Sequence, residues 1–184
     1  MATERRGAAD RTLRQDLRTA TAPSHERLDH RMMELDLGDA ADRACFDLIH
    51  LRAYDRIARA CDRSAAEATP VLARTLDALS ASGPSDPDAP GDDPRLHPDA
   101  VAYVTLGSQL GLTVLRKRIA PDARTGLFSL EPDLAAWKAF LRRIEVTPPS
   151  SESAARICQD ALRAFDIFLS EADRQLSARR QATV

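Results

Sequence analysis

At 184 residues, 43% of them apolar and with a formal charge of −2, the chain is long enough to bury one core and too short for two full-sized domains. Acids and bases nearly balance, no basic run interleaved with aromatics marks a nucleic-acid surface, and no apolar run approaches the roughly 20 residues of a membrane-spanning helix. Nucleic acid and membrane are therefore not expected partners. Aromatic residues make up only 4% of the chain beside abundant alanine, so the interior is expected to be small aliphatic side chains on closely approaching helices, favouring α over β.

The three cysteines, Cys45, Cys61 and Cys158, are odd in number and lack a C-x-x-C spacing. They read as small buried hydrophobes rather than a disulfide framework or a zinc site. The first residues are charged, with no apolar segment behind them, so a cytoplasmic location is expected. Residues 1–10 read as a disordered tail, 11–178 as one helical domain, and 179–184 as a C-terminal tail.

From Leu13, the apolar positions Leu17, Ala20, Leu28, Met32 and Leu35 step as one face of a helix. Pro23 interrupts that face, so the segment is either kinked or restarted, with Thr21 as a candidate cap. A second amphipathic run after Asp39 carries Phe46, Ile49, Ala53, Ile57 and Ala60, and a third covers about Ala65 to Ala81. Prolines and aspartates between Gly83 and Pro94 prevent helix, so 83–97 reads as an exposed loop. Pro98 fits the first turn of a helix through Ala102, Leu106, Leu110 and Val114, ending before Pro121. Pro132 opens another, from about Asp133 to Glu145. After Thr147-Pro148-Pro149, a last long helix buries Ile157, Ala161, Phe165, Phe168 and Ala172. The pattern is an all-α, single-domain bundle of about six helices with no convincing strand.

Two glycines, Gly107 and Gly111, lie inside the fourth of these helices, each costing about 1 kcal/mol relative to alanine. Their spacing of four puts them on one face, a bare stripe suited either to a close helix crossing or to a flat ligand. Of the four histidines, His30, His50 and His97 fall in charged or loop-edge contexts and read as solvated. No pair has the His-x-x-x-His spacing of a helical metal site. His25 lies on the amphipathic first segment, two turns from Arg18, and reads either as structural or as a ligand. Lys138 and Arg142 form a local cationic pair beside Trp137 and Phe140. With Arg18 they would suit a dianionic ligand whose apolar body lies between helices, although such pairs are usually solvated surface.

Three segments in order resemble the haem oxygenase family, particularly its bacterial members. Residues Leu17 to Leu28, with Thr21-Ala22-Pro23-Ser24-His25, resemble its proximal helix. Ala102 to Gly111, reading AYVTLGSQLG, is similar to its kinked distal helix. Ile144-Glu145-Val146-Thr147-Pro148, continuing to Ala164-Phe165, is similar to its C-terminal region. The resemblance implies that haem b is both cofactor and substrate, with His25 as axial iron ligand and Gly107 and Gly111 approaching the distal face. It places Arg18, Lys138 and Arg142 near the propionates and Phe165 in the pocket wall. The implied reaction cleaves haem with oxygen and electrons to biliverdin, carbon monoxide and ferrous iron. A ferredoxin, a flavoprotein reductase or a small reductant would donate electrons, and a bilin-binding photoreceptor is a downstream partner. Here the chain departs from many members: no aspartate follows Gly107, so Ser108 or Gln109 would have to organise distal water. The same resemblance therefore also admits a non-catalytic haem-binding protein for storage, delivery or sensing.

Overall fold

The computed structural model describes residues 11–61, 70–80 and 93–182. Six α-helices lie among them: α1 (Leu13–Met32), α2 (Ala40–Ala60), α3 (Pro70–Leu79), α4 (Pro98–Leu115), α5 (Leu134–Glu145) and α6 (Glu152–Ala182). Short 3₁₀ turns at Arg116–Arg118, Pro121–Ala123 and Gly126–Ser129 join α4 to α5. The described residues contain no strand, only an isolated bridge between Cys61 and Leu96. The fold is the expected all-α single-domain bundle.

α1 begins at a capping box, in which the Thr12 hydroxyl accepts from the Gln15 backbone N–H and the Gln15 side chain accepts from the Thr12 N–H. It then runs unbroken through Pro23. A proline in a helix interior costs about 3 kcal/mol through its missing donor and the clash with the preceding turn. The continuous helix is held instead by its buried side, Leu13, Leu17, Thr21 and Ser24. Thr21 is thus not a cap: its hydroxyl donates to the Leu17 carbonyl at 2.8 Å.

The axle of the bundle is α6, against which α1, α2 and α4 all pack. Its line Ile157, Ala161, Phe165, Phe168 and Ala172 is buried, as the periodicity indicates. Alanines on this line let neighbouring helices approach closely, while Phe165 and Phe168 fill the wider gaps. The helix continues past residue 178 to Ala182, so the tail expected from 179 is mostly helical. Arg179 meets Asp42, and Arg180 meets Glu34 at 3.0 Å.

The stretch 83–97 also needs correction where it is described; residues 83–92 and the expected helical turn at 65–69 lie outside the described residues. The Asp93 carboxylate accepts from Nε and Nη2 of Arg56, at 3.0 and 2.9 Å. Leu96 is buried, with its N–H donating to the Ala60 carbonyl. Residues 93–97 are not helical, and a single leucine and a paired aspartate dock this end onto α2. Arg56 also reaches the buried Glu171 of α6 at 2.9 Å, and Arg174 covers that carboxylate's other oxygen at 2.7 Å.

Candidate functional site

The directions of the helices set the geometry of the site. Arg27 lies by Asp166, Arg31 by Asp173 and Glu34 by Arg180, so α1 and α6 run parallel. On α4, the His97 N–H donates to Asp160 at 2.9 Å, whereas Ser108 bonds Tyr54, whose ring meets Phe168 at 5.0 Å. α4 therefore also advances along α6 in the same sense. α1 and α4 share this support with few direct approaches between them, and Leu13, Leu17, Ala102 and Leu106 belong to one apolar cluster; the groove is the interval beyond that cluster, toward His25 and Gly107.

One hydrogen bond crosses the groove. The Thr21 hydroxyl, whose proton is given to Leu17, accepts from the Tyr103 hydroxyl at 3.2 Å. Because the two helices run the same way, His25 on α1 and Gly107 on α4 each lie one turn beyond that bond, about 6 Å further along. The sequence pairing of His25 with the glycine helix thus corresponds to a shared level in the bundle. Tyr103, Gly107 and Gly111, spaced by four, form one stripe. A Cβ built at either glycine meets no described atom within 4 Å. Among the described residues a close helix crossing is therefore not their role, and the stripe borders open space.

His25 is 60% exposed, with its ring 5.8 Å from that of the buried Phe165. Its Nδ1 lies 2.9 Å from the carboxylate of Asp29, one turn on. In the neutral imidazole this carboxylate holds the proton on Nδ1, which leaves the lone pair on Nε2. The i, i+4 spacing of His25 and Asp29 is visible in the sequence and was the missed signal for this contact.

Ser108 and Gln109 point elsewhere. The Ser108 hydroxyl donates to the Thr105 carbonyl at 2.9 Å and accepts from the fully buried Tyr54 hydroxyl at 2.5 Å. Burial pushes the Tyr54 phenol up to about 12, so it remains a donor at neutral pH. The buried Gln109 accepts from the Asp133 N–H at 3.2 Å and so anchors the start of α5. These two side chains, expected to organise distal water, make their contacts with α2 and α5. At about 100° per residue, Gln109 faces away from the stripe carrying Gly107 and Gly111, while Ser108, three residues before Gly111, lies at its edge.

Arg18, Lys138 and Arg142 are exposed and make no ion pair among the described residues. Lys138 adjoins Trp137, which forms a cluster with Phe140 and Tyr103, ring centroids 5.6 to 6.4 Å apart. Along the chain, Arg18 lies one turn before Thr21, and Lys138 follows Trp137 on α5. No group of three His, Cys, Asp or Glu side chains suited to a metal ion occurs among the described residues. A lone imidazole suffices only for a metal whose other positions a macrocycle fills. Open space at the glycines, an oriented imidazole and unpaired cations fit that case.

The remaining histidines divide differently from expectation. His30 is exposed as expected. His50 is buried, donating from Nδ1 to the Phe46 carbonyl at 2.8 Å among Phe46, Tyr54 and Phe168. Burial lowers its pKa to about 4. Its period with Phe46, Ala53 and Ile57 outweighs the charged neighbours that made it look solvated. His97 is half-buried and caps α4, its Nδ1 accepting from the Asp99 N–H. Cys61 is buried, while Cys45 and Cys158 are half-buried, and all three are free thiols.

No protein-family profile, curated protein or solved structure matches the chain. The fold is a single-domain all-α bundle. No helix among the described residues is long and apolar enough to cross a membrane.

Proposed function

We propose that the groove between α1 and α4 binds haem and that the protein is a haem oxygenase. The carrying observation is the open space before Gly107 and Gly111 at the level of an imidazole already oriented by Asp29. In this reading His25 would hold the iron through Nε2, and Phe165 lies against its ring. The bare helix face admits a flat macrocycle, because a side chain at either glycine would occupy its place. Arg18, Lys138 and Arg142 supply cations for its carboxylates, and charge-assisted contacts of that kind orient the ligand in the groove.

Haem, when bound, supplies the iron at which oxygen is reduced and is itself the substrate, opened to biliverdin, carbon monoxide and ferrous iron. The chain's own residues bind and orient it and exclude water from one face. Electrons come from a ferredoxin, a flavoprotein reductase or a small reductant. The resemblance in sequence supports the same reading, with a cytoplasmic location and supply of a bilin-binding photoreceptor as its extensions.

One observation favours a second reading, non-catalytic haem binding. Ser108 and Gln109, the polar groups nearest the glycines in sequence, are engaged by Tyr54 and Asp133. With no carboxylate on that stretch, proton delivery falls to solvent. Hemin titration separates the readings. A stoichiometric Soret band is expected, then loss of that band and growth of biliverdin absorption with ascorbate under oxygen. His25→Ala should keep the helical circular dichroism, lose the native axial-ligand spectrum and weaken binding at least ten-fold. A stable Soret band under reductant selects the binding protein, and the absence of any Soret band refutes both.

A further inference from the structure

The groove is not symmetrical along its length. Tyr103 is the first member of the stripe that continues as Gly107 and Gly111, and it is the one member with a side chain. That side chain spans to Thr21, so the groove is closed at this level. One turn further, at Gly107, and again at Gly111, no neighbouring group among the described residues stands within 4 Å of where a Cβ would be. The Tyr103 ring is braced from behind by Trp137 and Phe140, each 6.4 Å away, so it cannot swing toward α5 without displacing two large rings.

Resting on the haem reading above, we propose that Tyr103 is the end stop of the groove. Latched to Thr21, it sets how far a flat aromatic ligand slides toward the closed end and so fixes which part of the ligand lies over His25. It is a positioning residue, acting by shape and by holding α1 and α4 at one spacing. Thr21 serves it directly: with its own proton committed to the Leu17 carbonyl, it offers the Tyr103 hydroxyl a fixed lone pair.

Three substitutions test this in the full chain. Tyr103→Phe keeps the ring and loses the latch, Thr21→Val loses it from the other helix, and Tyr103→Ala removes the stop. One lost hydrogen bond corresponds to a factor of about five in an equilibrium. Tyr103→Phe and Thr21→Val should therefore each release haem about five-fold faster to excess apomyoglobin, and Thr21→Ser should restore the wild-type rate. Tyr103→Ala should add a second set of hyperfine-shifted methyl resonances to the proton spectrum of the ferric cyanide complex, reporting a second seating. Circular dichroism of each ligand-free variant checks the fold; Tyr103→Phe and Thr21→Val carry the test if Tyr103→Ala does not fold. Wild-type release rates together with one unchanged set of resonances overturn the end stop alone. A wild-type protein without a Soret band overturns the haem reading and the end stop with it.

Discussion

At the level of single residues, Gly107 makes the sharpest prediction because two roles for it have opposite consequences. A glycine at a close crossing resists alanine, whereas a glycine facing open space in a helix accepts it. Gly107 has no positive φ and no described neighbour for a new methyl group. Gly107→Ala should therefore raise the stability of the ligand-free protein by up to about 1 kcal/mol in urea denaturation. The same methyl group should weaken hemin binding, read from the Soret titration. Gly126 is the contrasting case: its φ is +53°, and a Cβ there would collide with the Asp47 carboxylate. Here the backbone turn and the close approach both require glycine.

Among the elements, α6 extends furthest beyond its expected limits. Its last turn lies over the start of α2, where Arg179 meets the buried Asp42 while the Asp36 N–H donates to the same carboxylate at 2.7 Å. These contacts outweigh the burial that would otherwise raise the Asp42 pKa, and they hold it below the usual carboxylate range. Truncation after Ala178 should cost about 1 kcal/mol, since Arg179 and Arg180 are both well exposed. The loss should shrink in high salt, and an unchanged urea midpoint would restore the dispensable tail. Helix order, the start of α5 and the buried line of α6 were legible in the sequence, because 3.6-residue periodicity and proline positions record them directly. The docking of Leu96 and the reach of Arg179 were not, since each depends on a partner far along the chain. The site divides in the same way. His25 and the glycine stripe are local features, whereas the other partners of Ser108, Gln109 and Tyr103 belong to elements that only the fold brings near.

For the molecule as a whole, two buried groups pull its acid stability in opposite directions. His50 has a folded pKa of about 4 against an ordinary 6.5, so it favours folding above 6.5 and loses that contribution as pH falls toward 4. Burial raises the Asp47 pKa from 3.8 to about 6, despite the Leu127 N–H and nearby Arg43. Its contribution is therefore fully present below 3.8 and is lost as pH rises through 6. Between pH 4 and 6 the two nearly offset, and the wild-type urea midpoint should be almost flat. Asp47→Asn should be more stable than wild type at pH 7, by on the order of 2 kcal/mol. It should then lose stability steadily from pH 6.5 to 4, where His50, joined by the half-buried His97 whose pKa burial also lowers, is left unopposed. A flat profile in that variant would contradict the assignment.

The parallel pairing of α1 with α6 also bears on how the chain is made. Contacts such as Glu34 with Arg180 join residues 146 positions apart, so α1 leaves the ribosome long before α6 and waits for it to bury most of its apolar side. At roughly 5–20 residues per second, that wait is about 7–30 s. During it, the Leu13 and Leu17 face and the His25 side of the groove stand without their floor. A helical protein with so many distant pairings should fold more slowly than its secondary structure alone implies.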